Sequence, residues 1–328
     1  MHPDTAERLL DRMAALRLMV IGDLMLDEYV WGTVDRISPE APIPVVRVER
    51  VTMAPGGAAN VVRNAAALGA QVRVVGVVGI DEAGEMLLRE MAALGVDTES
   101  VHRCHDRPTT QKTRIIAQNQ QMLRVDREGA AKVDDSLAGE LLDCVRAHLS
   151  DCDAIILSDY DKGVICKGLV PRTIEAARER DVLVTSDPKP VNMELLAGSH
   201  VVCPNEHEAA FAVAMPISDE ESLCEAAGAL LKRFRADAVL ITRGSKGMSL
   251  FAADGETQYV PAAAEEVYDV TGAGDTVVAS FTMALAAGAS RKDAMELATV
   301  AAGNVIRKLG AATTSAEEIL NSLEERDA

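Results

Sequence analysis

The sequence predicts an α/β fold in which a doubly wound, mainly parallel sheet is sandwiched between helices and carries a small projecting sheet. Continuous apolar, β-branched runs alternate with Ala- and Leu-rich stretches of helical length through most of the chain. Continuous apolar strands indicate a parallel sheet covered on both faces, and repeated β-α-β order with right-handed crossovers gives a doubly wound sandwich. Two segments, 25–51 and 109–126, instead alternate apolar and polar residues, which is typical of strands with one wet face.

The individual elements follow in chain order. The buried strands are predicted at 17–21, 72–78, 154–157, 182–185 and 238–242. The helices between and after them are predicted at 58–68, 83–94, 136–149, 169–180 and 220–234, with two final Ala-rich helical stretches at 273–287 and 291–308. The two alternating segments predict a small sheet that projects from the main domain as a lid, or else two ordinary surface hairpins. Because no linker interrupts the pattern, we expect one domain, 1–328, with a lid within about 25–51 and 109–126.

The composition is that of a folded, acidic protein. Of 328 residues, 33 are Lys or Arg and 51 are Asp or Glu, so the formal net charge is −18, and 48% of the residues are apolar. That apolar content excludes a disordered acidic chain, because its burial offsets the entropy lost on ordering. The negative charge argues against a nucleic-acid partner, since binding to phosphates requires clustered Lys and Arg.

The N-terminus and the cysteines favour a cytoplasmic protein without a membrane partner. Acidic residues occur early and no signal-peptide cleavage site follows, and no stretch approaches the roughly 20 apolar residues of a membrane-spanning helix. The six cysteines form no C-x-x-C pair, and a chain of this length needs no disulfide framework. A metal site at Cys104 with His102 and His105 is disfavoured, because zinc sites usually bring a second ligand cluster.

The clearest chemical feature is the sequence DVTGAGD at 269–275, which leads into a predicted helix. Small residues at a helix start leave backbone N–H groups open, and these groups with the helix dipole form a hole for a phosphate. Asp275 lies in the first turn, where it could orient an attacking hydroxyl and accept its proton. The alternative is simple helix capping with a tight glycine turn.

Glycines also precede the helix predicted at 58–68. Gly56 and Gly57 allow close approach of a ligand to the backbone, and Asn60 presents a donor and an acceptor suited to adjacent sugar hydroxyls. Asp23 directly follows the first strand, at the end of a parallel sheet where ligands bind, and would suit two vicinal hydroxyls. The alternatives are a plain turn for the glycines and a cap for the aspartate.

Two further segments follow predicted strands. Thr242, Gly244 and Gly247 offer a hydroxyl and glycines near a nucleotide, or form an ordinary turn. Asn205 and Glu208 predict an N-cap with a capping box; alternatively Glu208 helps through water to hold Mg²⁺ on phosphates, because Mg²⁺ keeps several waters. Neither a P-loop nor a G-x-G-x-x-G after the first strand is present, which weakens a P-loop NTPase and a dinucleotide dehydrogenase.

Together these segments resemble the ribokinase-like (PfkB) family of sugar kinases over nearly the whole chain. The elements around Gly56, Asn205, Thr242 and Asp275 occur in the family's order. Within the family, the segments 36–45 (RISPEAPIPV), 157–163 (LSDYDKG) and 187–189 (DPK) are similar to the kinases of D-glycero-D-manno-heptose 7-phosphate. The resemblance implies a ribokinase-like fold and ATP-dependent phosphorylation of the anomeric hydroxyl to the 1,7-bisphosphate, for ADP-heptose and the lipopolysaccharide core. With no H-x-G-H element before Ala328, it implies the stand-alone kinase form.

The resemblance also implies residue roles. Asp275 would be the base, and the backbone of Gly272, Ala273 and Gly274 would stabilise the transferring phosphoryl group. Its other implied roles are sugar contacts by Asp23, Gly56, Gly57 and Asn60, and cofactor contacts for ATP and Mg²⁺ by Asn205, Glu208, Thr242, Gly244, Gly247 and Thr271. The 7-phosphate needs cations, and the unranked candidates are Arg63, Lys112, Arg114, Arg124, Lys162 and Lys189.

Further expectations concern the adenine contacts, a monovalent cation, rival functions and the oligomeric state. The family often places an Asn near adenine, whereas here the spacing leads to Thr299, with Asn304 the nearest Asn. Asp269, Thr271 and the 310–314 turn would bind a monovalent cation, as in some relatives. The rival functions are a kinase for another sugar or nucleoside and a non-catalytic sugar-phosphate sensor. An apolar lid face is costly to leave in water, so we expect a homodimer formed through the lid.

Overall fold

The fold was taken from a computed structural model, which describes residues 1–118, 120–129, 132–263, 268–308 and 310–327. Asn119, inside the predicted lid segment, lies outside the described residues. The helices are α1 (Pro3–Ala14), α2 (Ala58–Ala67), α3 (Glu82–Ala93), α4 (Asp135–His148), α5 (Val170–Arg178), α6 (Glu206–Val213), α7 (Glu220–Phe234), α8 (Ala273–Ala286), α9 (Arg291–Ile306) and α10 (Ala316–Asp327). Short 3₁₀ turns occur at Leu149–Asp151, Pro190–Leu196 and Gly244–Lys246.

The strands form two sheets. They are β1 (Arg17–Gly22), β2 (Leu24–Ile37), β3 (Pro44–Gly57), β4 (Gln71–Gly79), β5 (Val101–Cys104), β6 (Thr110–Ala117), β7 (Gln120–Arg127), β8 (Ala154–Ser158), β9 (Leu183–Asp187), β10 (Val201–Val202), β11 (Ala238–Thr242), β12 (Met248–Ala252) and β13 (Thr257–Val260). The main sheet has the order β13-β12-β11-β10-β9-β8-β1-β4-β5, and the small sheet has the order β3-β2-β6-β7. The predicted fold class is therefore confirmed.

The main sheet is parallel from β5 to β11 and ends in two antiparallel strands, β12 and β13. From β1 the chain winds towards β4 and β5, and it then returns through β8 to wind the other way. The strand order therefore reverses between β1 and β8. In open α/β sheets, ligands bind outside the carboxyl ends of the strands at such a reversal.

Helices cover both faces of this sheet, with a hydrophobic core on each side. One core joins residues of α1, α2, α3, α8, α9 and α10 to the sheet, and the other joins residues of α4, α5, α6 and α7. Strands between two such layers must be apolar on both faces, as in β1, where every residue after Arg17 is buried. No helix among the described residues is long and apolar enough to cross a membrane.

The small sheet extends from the carboxyl ends of β1 and β4. Strand β2 begins two residues after β1 and pairs antiparallel with β3 and parallel with β6. Its burial falls from complete at Leu24 to exposed at its far end, so the sheet emerges progressively from the core. We refer to this four-stranded sheet, β2, β3, β6 and β7, as the lid.

Two helices at the ends of the chain were not predicted from the sequence. In α1, Ala6, Leu9, Leu10 and Met13 are buried, a spacing that marks one face of a helix. After α9 the chain continues into α10, so the expectation that it ends in two helical stretches is wrong.

Candidate active site

The site is built where β1 and β8 lie side by side. Asp23 follows β1, and the loop 159–164 follows β8. One carboxylate oxygen of Asp23 accepts the N–H groups of Tyr160 and Lys162, and the other accepts that of Val164, all at 2.9 Å. Asp23 is almost completely buried. Its carboxylate therefore organises the loop 159–164, and a contact with sugar hydroxyls stays a prediction.

Asp275 lies in the first turn of α8 and is 4% exposed. Its Oδ2 accepts a hydrogen bond from Asn60 Nδ2 at 2.7 Å, and its Oδ1 accepts one from the Tyr160 hydroxyl at 2.6 Å. Burial raises the pKa of Asp275 to about 6, although both hydrogen bonds act in the opposite direction. A carboxylate with this pKa is mostly ionised at neutral pH and can accept a proton.

Asn60 meets Asp275 because helices α2 and α8 start side by side. The two helices are also joined by a hydrogen bond of 2.9 Å from Thr276 Oγ1 to Asn64 Oδ1. Asn60 is 2% exposed, and its Oδ1 has no hydrogen-bond partner among the described residues. An acceptor left unpaired in a buried site is energetically unfavourable unless a ligand or water satisfies it.

Steric crowding explains why glycine occupies three of the predicted positions. A Cβ on Gly56 would overlap the carboxylate of Asp27, and Gly57 has a φ of 56°. A Cβ on Gly272, whose φ is 80°, would lie 2.6 Å from Asn60 Nδ2. These positions require glycine because a buried side chain lies directly against the backbone.

Asp27 was missed by the sequence analysis. It is 5% exposed, it lies on the lid strand β2, and its Oδ1 accepts a hydrogen bond of 2.6 Å from Arg114 of β6. The Arg114 guanidinium also lies over the ring of Tyr29. The available signal was a charged residue directly after the fully buried run Leu24, Met25 and Leu26.

The start of α8 offers part of the predicted phosphate hole. Among the described residues, no acceptor pairs with the N–H groups of Gly274 and Asp275. A Cβ on Gly274 would meet no atom within 4 Å, so this approach is open. The N–H of Ala273 instead donates to Val270 O at 3.2 Å, which closes the turn before the helix. The free donors are therefore concentrated next to the Asp275 carboxylate.

Asn205 and Glu208 form the predicted capping box of α6, with Glu208 N donating to Asn205 Oδ1 and Asn205 N donating to Glu208 Oε2. Lys189 Nζ donates to Glu208 Oε1 at 2.6 Å. Each carboxylate oxygen of Glu208 thus has one protein partner and retains capacity for a water. Among the described residues, no three His, Cys, Asp or Glu side chains converge on a metal position.

A cavity of about 370 Å³ lies beside the start of α8. Thr242, Gly244 and Gly247 line it together with Ala273 and Gly274, and their contact with a nucleotide stays a prediction. Most of the other lining residues are apolar: Met248, Ala262, Ala263, Val270, Val277, Ala302 and Ile306. The flat, mostly apolar base of a nucleotide would fit such walls, and the phosphates of that nucleotide would extend towards the free N–H groups of Gly274 and Asp275.

Thr299 and Asn304, the two residues considered for contacts with adenine, lie in different surroundings. Thr299 lines this cavity. Asn304 does not line it; its amide donates to Thr314 Oγ1 and Glu318 O and accepts from Ser322, so it fastens α10 to α9. Thr299 is thus the polar side chain from α9 at this cavity.

The segment proposed for a monovalent cation is assembled around Asp269. Its Oδ1 accepts the N–H of Thr271 at 2.9 Å and its Oδ2 accepts the N–H of Gly310 at 3.0 Å. The 310–314 turn therefore lies beside the loop that leads into α8. Thr271 is not among the residues that line the cavity beside the start of α8.

Most of the cations predicted for the 7-phosphate are already engaged. Arg114 pairs with Asp27, Arg124 with Asp126, Lys162 with Glu128 and Lys189 with Glu208, while Arg63 donates to Ala311 O. Within the described part of the chain, Lys112 has neither an ion pair nor a hydrogen bond. Its Nζ lies 5.5 Å from the centre of the Tyr160 ring, and burial lowers its pKa.

The chain is similar to known proteins over nearly its whole length. Residues 15–319 match the model of the pfkB family carbohydrate kinases. The chain is 42% identical over 323 residues to the bifunctional protein HldE of Pelobacter propionicus, and 43% identical over 323 residues to that of Geobacter sulfurreducens. Each alignment covers 98% of this chain and 66% of the relative, so the chain spans about two thirds of the length of these curated relatives.

Solved structures share the fold at lower identity. Arabidopsis thaliana ribokinase complexed with ribose and ATP matches with a TM-score of 0.76 and 23% identity, covering 94% of this chain and 99% of that one. Escherichia coli phosphofructokinase-2 in complex with potassium matches with a TM-score of 0.77 and 18% identity, covering 96% and 100%. The expectation of an ATP-dependent carbohydrate kinase is confirmed. The chain belongs to the pfkB family of carbohydrate kinases.

Proposed function

We propose that this kinase transfers the γ-phosphoryl group of ATP to the anomeric hydroxyl of D-glycero-D-manno-heptose 7-phosphate, giving the 1,7-bisphosphate. The observation that supports the chemistry most directly is the buried Asp275 carboxylate beside two unpaired N–H groups at the start of α8. A base and a phosphate-binding start of a helix are thereby adjacent. This is the pair of functions that an in-line phosphoryl transfer requires.

The reaction balances with the residues in place. The acceptor hydroxyl loses its proton to Asp275 as its oxygen bonds to the γ-phosphorus, the bond from that phosphorus to the β–γ bridging oxygen breaks, and ADP leaves. Asn60 and Tyr160 hold one oxygen each of the carboxylate, so each oxygen retains a lone pair for the hydroxyl. The N–H groups of Gly274 and Asp275 would bind the charge that develops on the transferring group.

We assign the base and phosphates of ATP to the cavity between Thr242 and Thr299, with the triphosphate directed at α8. Mg²⁺, when bound, would neutralise phosphate charge and orient the γ-phosphoryl group. Glu208 fits a role through water, because each of its oxygens has only one protein partner. The Asp269 loop with the 310–314 turn would bind the monovalent cation.

The phosphorylated acceptor is supported by resemblance and by charge. The segments 36–45, 157–163 and 187–189 resemble the heptose 7-phosphate kinases, and the last two lie at the carboxyl ends of β8 and β9, next to Asp275. Lys112 faces the same space from the lid without an anionic partner among the described residues. An acceptor phosphate would supply that partner.

A panel of acceptors tests this proposal. ATP consumption is measured with heptose 7-phosphate, unphosphorylated heptose, ribose, fructose 6-phosphate and adenosine at matched concentrations. We expect kcat/KM for heptose 7-phosphate to exceed the others by about 10²-fold or more, because a site built for a buried polar contact rejects ligands that lack it. A higher kcat/KM with another sugar or nucleoside would identify that compound as the substrate instead. If no acceptor leads to ATP consumption, the sugar-phosphate sensor is favoured.

A further inference from the structure

The loop 159–164 carries an aromatic residue that contacts the candidate base directly. The Tyr160 hydroxyl donates to Asp275 Oδ1 at 2.6 Å, opposite the Asn60 amide on Oδ2. With one donor on each oxygen, the carboxylate group cannot rotate without breaking a hydrogen bond in a buried site. Such losses are large because a buried donor would remain unpaired.

The position of Tyr160 is itself fixed from several directions. Its backbone N–H is held by Asp23 at 2.9 Å. Two ammonium groups lie over its ring, Lys112 Nζ of the lid at 5.5 Å and Lys189 Nζ at 5.4 Å from the ring centre. Cations over an aromatic face are favourable, and more so when they are partly buried. The orientation of the hydroxyl therefore depends both on the main sheet and on the lid.

We propose that Tyr160 is a positioning residue for the reaction: it holds the Asp275 carboxylate in the orientation that receives the acceptor proton, and Lys112 and Lys189 hold its ring in place. The inference rests on the assignment of Asp275 as the base in the proposed function. Tyr160 itself does not exchange a proton with the acceptor. Burial and the neighbouring Asp275 raise its pKa well above 10, so it remains a donor throughout the working pH range.

The expected effect of this contact on titration has a definite sign. A donor to an ionised carboxylate stabilises the charged form, so removing the Tyr160 hydroxyl raises the pKa of Asp275 above its value of about 6. The pKa of Asp275 is also influenced by the charged and titratable groups that face it from the lid, the main sheet and the loop: Asp27, Asp187, Lys189 and Tyr160. Tyr160→Phe changes only one of these groups and keeps the ring under the two lysines.

The decisive experiment titrates Asp275 without any acceptor. Carboxyl carbons of aspartate are labelled with ¹³C, and the Asp275 resonance is identified by its loss in Asp275→Asn, which separates it from Asp159, whose pKa is also about 6. In Tyr160→Phe we expect the Asp275 midpoint to rise by about one pH unit. In Tyr268→Phe, which removes an exposed hydroxyl without a partner among the described residues, it should stay unchanged.

Kinetics supply the second measurement. The acid limb of the kcat–pH profile should move to higher pH in Tyr160→Phe by the same amount. At pH 7, kcat should fall about tenfold, about twofold of it from the smaller ionised fraction of Asp275 and the rest from its lost orientation, while KM for ATP is unchanged. An unshifted Asp275 midpoint, or an acid limb that coincides with the wild type, overturns the proposal. If the folded wild type phosphorylates no sugar but the Asp275 midpoint still rises in Tyr160→Phe, the proposed function is overturned and the Tyr160 contact stands.

Fluorotyrosine keeps the proposal testable if Tyr160→Phe does not fold. Labelling with 3-fluorotyrosine leaves the shape of the four tyrosines nearly unchanged but makes each phenol more acidic and a stronger donor. The Asp275 midpoint should then move to lower pH, opposite to the Phe variant. A midpoint that stays in place, or rises, contradicts a direct hydrogen bond between Tyr160 and Asp275.

Discussion

At the scale of single residues, the burial that raises the pKa of Asp275 also lowers the free energy of unfolding when its carboxylate is ionised. Its pKa is raised from 3.8 to about 6 in the folded protein, so the folded state binds the proton more tightly than the unfolded state. Stability contributed by this group therefore decreases as pH rises from about 4 to about 6, and the full disadvantage is present above that range. The buried charge is retained because the proposed reaction needs an ionised base.

The substitution Asp275→Asn tests this balance. At pH 8 we expect the free energy of unfolding to rise by about 1 to 3 kcal/mol, because the neutral amide has no charge to desolvate. The gain should fade as pH falls towards 4. Thermal unfolding of wild type and variant at pH 8 and pH 4 measures it, and Asp11→Asn, at an exposed position of α1, is the control. A variant less stable than the wild type at pH 8 would contradict the raised pKa.

Lys112 is the residue that we expect to distinguish a phosphorylated acceptor. In Lys112→Met, KM for heptose 7-phosphate should rise by about 10- to 100-fold, because a charge-assisted contact to the phosphate is lost. KM for unphosphorylated heptose should change little. Steady-state kinetics with both acceptors give the ratio, and Lys232→Met, at an exposed position of α7, is the matched control. Equal effects on both acceptors would place the phosphate elsewhere.

Sequence reasoning located the backbone features of the site better than its long-range contacts. Gly272, Asn60 and Asp275 were predicted because each lies in a short segment whose residue types and spacing indicate a site at the start of a helix. Asp27 was missed because its importance comes from Arg114, which is 87 positions away along the chain. The contact between Tyr160 and Asp275 joins residues 115 positions apart, and no local sequence pattern predicts such a contact.

At the scale of elements, the strands β1, β4, β8, β9 and β11 of the main sheet were predicted because their apolar runs reflect burial on both faces, whereas β5, β12 and β13 were not predicted. The predicted strand 238–242 coincides with β11, and the predicted helix 220–234 coincides with α7. The helices α1 and α10 were missed, since short amphipathic segments at chain ends combine a modest apolar face with many charges. Their pairing with the rest of the fold comes from tertiary contacts.

The start of α8 yields a prediction with a matched control. In Gly272→Ala a methyl group would lie 2.6 Å from Asn60 Nδ2 at a φ of 80°, which should displace Asn60 and lower kcat by about tenfold or more. Gly255→Ala has a φ of 92° and meets no atom within 4 Å. It shares the backbone strain but should keep its kcat. Similar kcat values in the two variants would show that the close approach to Asn60 is unimportant.

At the scale of the whole molecule, the lid has two different faces. The face towards the site carries Asp27, Tyr29, Lys112 and Arg114, while the strand register places a set of apolar residues on the opposite face. These residues are 39 to 55% exposed: Val51, Met53, Leu123 and Val125. We propose that two copies of the chain associate through this face, since burying it removes apolar surface from water.

Solution mass tests the association. We expect the wild type to sediment as a dimer at micromolar concentration and Leu123→Glu to sediment as a monomer, because a charge would be buried in an apolar contact. Leu94→Glu, at an exposed apolar position on the C-terminal end of α3, should remain dimeric. A wild type whose mass equals one chain at every concentration would contradict the lid contact.

The net charge of −18 gains a physical meaning from the site. A chain of this charge does not attract ATP or a sugar phosphate through its overall field. In the proposed function it binds them through local donors, namely the N–H groups at the start of α8 and the two lysines that lie over the Tyr160 ring. Under this proposal the anionic substrates are accommodated by groups whose effect is confined to the cleft.

The central claim is that Asp275 drives phosphoryl transfer to the anomeric hydroxyl of heptose 7-phosphate. The most direct measurement follows the reaction of this substrate with ATP by ³¹P NMR. We predict a second sugar phosphate resonance coupled to the anomeric proton, formed at least about 10²-fold more slowly by Asp275→Asn, whose affinity for ATP is unchanged. A phosphate on another hydroxyl, no new resonance, or a near-normal rate in Asp275→Asn would contradict the account.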